Sequence, residues 1–202
     1  MRFLASGIGA FLLAVTVCIG LVLGAVFMAS GEETKNEDQN NTQCVEGAGM
    51  NQIPQKYRQL VIDAAAEAEV DPSIIAAQID NESSWNPNAF NPKADASGIS
   101  QFVPDTWAQF GNGGDRMDPN DSIPAQGRYM KYVKDYVVKL KLHKNDDELI
   151  DLTLAGYNAG IGNVEFYRGI PPWEETQNYV TDIRKVAQTT YKDACSMLTE
   201  NI

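Results

Sequence analysis

A chain of 202 residues with a formal net charge of −11 has room for one core of roughly 150 residues plus an appendage. Its acidic balance argues against a nucleic-acid partner, which needs a basic face to neutralise phosphates, and against electrostatic capture by anionic lipids or polymers. A polyanionic partner would have to be held by the shape of a groove.

From Phe3 to Ser30 there is no charged residue, and only Met1 and Arg2 precede the run. About 20 such residues cross a bilayer as a helix. A cleaved signal peptide usually has an apolar part of only about 7 to 15 residues, so residues 3–30 are predicted to be a retained anchor. Cleavage near Ala29-Ser30-Gly31 is the alternative. Arg2 before the run and Glu32, Glu33, Glu37 and Asp38 after it agree with export of everything that follows. Residues 31–51, rich in Glu, Asn, Gln, Gly and Thr, have the composition of a solvated tether.

Of the three cysteines, Cys18 lies inside the apolar run without the small preceding residue of a lipid-modified cysteine, and reads as filler. Cys44 and Cys195 flank everything that looks folded. In an oxidising compartment they are predicted to join in a disulfide, worth on the order of 4 to 5 kcal/mol for so long a loop in the chain-entropy model. Two free thiols or an intermolecular bond are the alternatives.

The folded part is predicted over 52–195, with 196–202 as a tail. Pro54 opens it, and Tyr57, Leu60, Val61, Ala64, Ala65 and Ala68 recur at helical spacing. Asp71-Pro72 restarts the chain as a cap and first-turn proline, and Ile74, Ile75, Gln78, Ile79 and Glu82 carry a second helix to the block at Pro87. A polar stretch over 86–100 reads as a long functional loop. Further helices are predicted at Pro104–Phe110, Ile123–Leu140, Glu148–Asn158 and Thr176–Tyr191. No alternating strand pattern is visible, so the class is mainly α. Tyr129 to Tyr136 read as core and surface alternation.

Glu82 stands four residues after Gln78 and three after Ile79, on the buried stripe of its helix. A carboxyl there loses hydration on folding, which raises its pKa toward the range of a general acid. Taken alone, a Glu at a helix end reaching solvent or a lysine is the competing reading. His143 is the only histidine, which argues against a zinc site or a Ser and His couple. Asp115, Asp118, Asn120 and Asp121 lack calcium-loop spacing and read as turn and cap residues. No metal and no cofactor is expected.

Glu82-Ser83, Asn86-Pro87-Asn88-Ala89, Gly98-Ile99-Ser100-Gln101-Phe102 and Ala155-Gly156-Tyr157-Asn158-Ala159-Gly160 follow one another in order. Together with Glu175-Thr176 and Tyr179-Val180, the chain resembles the soluble lytic transglycosylase family of the lysozyme-like superfamily over about Pro54 to Val186. More distantly it is similar to goose-type lysozymes. The resemblance implies a lysozyme-like, mostly helical fold with a groove for a peptidoglycan glycan strand. Glu82 matches the family's acid, acting first as acid and then as base to leave a 1,6-anhydro end. Gln101 matches a groove-bordering position, where an amide offers both donor and acceptor to sugars. Tyr157 and Asn158 are expected to orient Glu82 or substrate, or to pack a helix end. Tyr179 is expected in the core or against Glu82, and Ser83 on substrate or capping the helix.

Two departures stand out. Ser100 occupies a position where methionine is frequent, and the loop from Glu82 to Gly98 is about one residue longer than the commonest spacing. The longer loop makes Asp95 a candidate second carboxylate, which would favour goose-type hydrolysis. Otherwise Asp95 is a surface-loop residue. A non-catalytic wall-binding part of a secretion or conjugation machine is the alternative from another class, and a monomer is expected.

Overall fold

Residues 44–197 are described by the computed structural model. The expected anchor, Cys18, most of the tether and the end of the tail lie outside them. Among the described residues no helix is long and apolar enough to cross a membrane.

Side chains that take over the unsatisfied amides of a first turn decide where several helices begin. After a 3-10 turn at Gln55–Tyr57 comes α1 (Arg58–Ala68). Asp71 caps α2 (Pro72–Ser83) by accepting from the amide of Ser73, and α3 (Pro104–Phe110) starts on a proline, both as predicted. Asp118 caps α4 (Pro119–Leu140), which therefore starts before the predicted Ile123 and carries Pro124 inside it. Asn145 likewise caps α5 (Asp146–Ala159) two residues ahead of the predicted start. The short α6 (Ile161–Tyr167) was not predicted, because seven residues with Gly160 before them and Gly162 among them leave no readable stripe. The last helix, α7, runs Glu174–Thr189 and ends just before the predicted Tyr191.

Strands are present, although none was predicted. β1 is Cys44–Glu46; β2 (Phe90–Asn91) pairs antiparallel with β3 (Ala96–Ser97), and β4 (Cys195–Met197) pairs with β1 so that Glu46 lies opposite Cys195. Two or three residues are too few for a period of two to be legible. The β1–β4 pair also corrects the boundaries. Residues 44–51 belong to the fold rather than to the tether: the amides of Gly47 and Gly49 donate to Ala194 and Lys192, and Met50 is fully buried. Ser196 and Met197 join β4 instead of the tail. Cys195 is disulfide-bonded; the side chain of Cys44, its expected partner, lies outside the described ones.

α4 packs on α1, α5 and α3, and α2 lies against α1 and α7. Val61, Ala65, Ile75, Ile79, Ile123, Met130, Leu154 and Ile183 fill the space between them without exposure, which supplies the main stabilisation through apolar burial. α1 and α4 touch at Gly127, where an added Cβ would stand 2.6 Å from the carbonyl oxygen of Ala64. Gly162 on α6 has nothing within 4 Å of such an atom.

Alanine is favoured over glycine by about 1 kcal/mol in a helix interior, whereas overpacking costs about 1 to 3 kcal/mol. Gly162→Ala should therefore raise the urea midpoint, and Gly127→Ala should lower it.

Candidate active site

A cleft of about 410 Å³ opens between the end of α2, the β2–β3 hairpin, the loop after it, α4, the end of α5 and the start of α7. Glu82, Gln101, Tyr157 and Asn158 all line it, with Phe102, Tyr129 and Glu175. A wider hollow of about 560 Å³ beside α7 holds Asp151 and Arg184, whose Nε lies 3.1 Å from Oδ1 of Asp151.

Glu82 sits in the last turn of α2, partly exposed along the cleft wall. Its Oε1 accepts a 2.6 Å hydrogen bond from the hydroxyl of Tyr179. Burial pushes the Glu82 carboxyl up to about 7, and the bond from Tyr179 pulls the other way. Desolvation of the charged form thus outweighs a charge-assisted hydrogen bond. Tyr157 and Tyr179 are both held well above the ordinary phenol value, first by burial and then by the charge of Glu82. Both remain neutral donors wherever Glu82 titrates.

Tyr179 reaches Glu82 from the core side, is only 7% exposed, and is absent from the cleft lining. Tyr157 donates to the backbone oxygen of Ser100 at 3.2 Å, and Asn158 accepts from Thr176 at 2.8 Å. Gln101 lines the cleft and also braces its loop. Its Nε2 donates to Ala89 at 3.1 Å and to Gly98 at 2.8 Å, so only its carbonyl oxygen is left to accept from a ligand. Gln101 holds φ at 48°, a conformation that surrounding structure must enforce on a non-glycine residue. Gly98 makes that loop possible, since its φ is 79° and an added Cβ would stand 2.0 Å from the carbonyl oxygen of Arg116.

Ser83 and Asp95 lie outside the cleft lining, where the helix-end and surface-loop alternatives put them. The Ser83 hydroxyl faces the carbonyls of Ile99 at 2.8 Å and Ile79 at 3.2 Å, tying α2 to the loop, and Ser83 does not line the cleft. Asp95 is also absent from the lining. Arg116 pairs with its Oδ1 at 3.0 Å and donates to its backbone oxygen at 2.7 Å and to that of Phe102 at 3.2 Å. This clamp fastens the hairpin turn to the loop.

Phe102, Tyr129 and Glu175 went unrecognised as cleft residues. Phe102 and Glu175 stood inside quoted motifs, and Tyr129 looked like helix packing until its ring came within 4.8 Å of Tyr157. Among the described residues no cluster of histidine, cysteine or acidic side chains suits a metal ion.

The family described as Transglycosylase SLT domain matches residues 59–180, more than half of the chain. The chain belongs to this family. Among curated relatives, the membrane-bound lytic murein transglycosylase F of Shewanella loihica is 33% identical over 110 residues, covering 54% of this chain and 22% of that protein. The chain thus spans about a fifth of that relative's length. Two solved structures share the fold of the SLT domain. One is the 70 kDa soluble lytic transglycosylase of Escherichia coli, with a TM-score of 0.52, 24% identity, and coverage of 71% of this chain and 26% of that one. The other is an inactive mutant of the lytic transglycosylase Slt of Pseudomonas aeruginosa, with a TM-score of 0.52, 20% identity and coverage of 71% and 26%. The mainly helical class expected of the chain holds for the described residues, and their fold is shared with these structures.

The raised carboxyl has a measurable consequence. A group whose folded pKa is about 7 against an ordinary 4.5 favours folding when protonated, so its contribution is intact below about pH 4.5 and is lost as pH rises toward 7. Glu82→Gln cannot ionise. It should match the wild type in urea unfolding at pH 4 and exceed it by about 3 kcal/mol at pH 8.

Proposed function

We propose that the folded unit is a lytic transglycosylase that cuts peptidoglycan glycan strands between N-acetylmuramic acid and N-acetylglucosamine. The observation that carries this reading is a cleft-wall carboxyl, Glu82, raised to about 7 and backed by a neutral phenol. Such a group is protonated often enough near neutrality to act as an acid and ionises readily enough to act next as a base.

In the first step Glu82 donates its proton to the bridging oxygen as the bond from that oxygen to C1 breaks, and the N-acetyl group of the muramic acid shields the charge at C1. In the second, ionised Glu82 takes the proton of the C6 hydroxyl while O6 bonds to C1. The product is a 1,6-anhydro end; no water is consumed, and the glutamate returns to its starting state. The carbonyl oxygen of Gln101 suits an N-acetyl N–H or a sugar hydroxyl, and Asn158 lies on the same wall. Hydrolysis asks for a carboxylate or a held water on the far side of the sugar, and Asp95 is engaged by Arg116. Phe3 to Ser30 would anchor the enzyme with its catalytic unit facing the wall, in keeping with relatives named membrane-bound.

The full chain should release 1,6-anhydro muropeptides from purified wall, identified by mass as one water lighter than hydrolytic products. Glu82→Gln should lower release about a thousandfold, within the range of a lost general acid. Reducing ends would show a hydrolase, and binding without release a wall-binding module; either overturns the proposal.

A further inference from the structure

Three polar side chains lie fully buried beside the acid with no exposure at all: Gln78 on α2, Ser100 in the loop and Gln126 on α4. They form one chain of hydrogen bonds. The Ser100 hydroxyl donates to Oε1 of Gln126 at 2.8 Å, Nε2 of Gln126 donates to Oε1 of Gln78 at 2.7 Å, and Nε2 of Gln78 donates to the Tyr179 oxygen at 2.9 Å. Tyr179 then donates to Oε1 of Glu82 at 2.6 Å. Every donor points toward the carboxyl.

Valence makes this direction matter. The Tyr179 oxygen already accepts from Gln78, so its single proton is directed at Glu82. Turning over either amide alone would oppose like groups where the two glutamines meet, acceptor to acceptor if Gln126 turns and donor to donor if Gln78 turns, a costly fault in a buried place. The two glutamines therefore hold each other's orientation. A carboxylic acid has two oxygens, and a proton on Oε1 would face the phenol, away from substrate.

We propose that Gln78, Gln126 and Ser100 are positioning residues for the catalytic acid, aiming the Tyr179 proton at Oε1 of Glu82 so that the transferable proton stays on the oxygen left to the cleft. The assignment rests on the transglycosylase reading for its effect on turnover, though not for its effect on the carboxyl. It explains why a loop serine, two helical glutamines and a tyrosine occupy volume that leucines would fill at no desolvation cost.

The other titratable side chains about Glu82 are Tyr157 on α5, Tyr129 on α4 and Glu175 on α7, with Tyr179 itself on α7. Asp80, further back on α2, faces Tyr191 instead. All of them are retained in the triple variant and in Gln78→Met.

The test uses Ser100→Ala/Gln78→Met/Gln126→Met, which removes every polar member together and leaves no partner stranded. Gln78→Met alone serves if the triple variant fails to fold. Carbon-13 NMR of labelled glutamate side chains, assigned with Glu82→Gln, titrates the carboxyl without reference to activity. The Glu82 midpoint should move up by a few tenths of a unit as the phenol's donation weakens. Tyr179→Phe should move it further in the same direction. On glycan fragments kcat should fall about tenfold with KM within twofold, as expected when an acid is misplaced, and the high-pH limb should follow the NMR midpoint. A folded variant with the wild-type midpoint and wild-type kcat would overturn the proposal. Should the wild type prove inactive on wall, the functional reading fails while the NMR shift still decides this one.

Discussion

A carboxyl withdrawn from water beside a phenol that donates to it is the interaction around which this structure is arranged. Burial raises the pKa of Glu82 and the Tyr179 bond lowers it, with burial the larger effect. The balance near neutrality requires both, and each depends on a different pair of elements. α2 carries the acid into the cleft wall, and α7 brings the phenol up behind it from 97 residues away. The apolar contacts of α2 with α1 and α7 supply the rigidity that keeps this pair at 2.6 Å.

The opposite side of the cleft is built from irregular backbone, and its order comes from specific hydrogen bonds. Arg116 holds three acceptors in the hairpin turn and the following loop. Gln101 braces the same loop from within, Ser83 ties it to α2, and Tyr157 reaches it from α5. Positive φ at Gly98 and Gln101 is tolerated because these bonds over-determine the loop. A mainly helical protein thereby gains one wall of short strands and turns without a large sheet, and side chains of that wall can approach the acid closely.

Much of the fold was legible because it is local. The stripes of α1, α2 and α7, the cap at Asp71 and the proline at the head of α3 are properties of neighbouring residues, and they appear where spacing put them. The elements that escaped are those too short to show a period: β1 to β4 and α6. Met50 and the strand at Cys44 were hidden by a polar composition that suits a tether, since one buried methionine leaves little mark among so many Glu, Asn and Gly. In the cleft, Glu82, Gln101, Tyr157 and Asn158 line one wall system. Asp95 and Ser83 bind protein groups instead, and nothing in their local sequence distinguishes a loop acid that meets Arg116 from one that meets substrate. Tyr129 shows the converse, a residue with ordinary helix spacing whose importance lies in its neighbour across the fold.

By itself the sequence determined where the longer helices lie, which face of each is apolar, that one carboxyl stands on such a face, and that the motifs of a glycan-cutting family stand in order. Tertiary structure alone decided how deeply that carboxyl is desolvated, which of its oxygens accepts the phenol's hydrogen bond, and that the carbonyl oxygen of the Gln101 side chain stays free for a ligand. The physical reason is range. Periodicity and capping act over three or four residues, whereas desolvation and hydrogen-bond direction depend on groups as far apart in the chain as Gln78 and Tyr179, 101 residues, which meet only when the helices have packed.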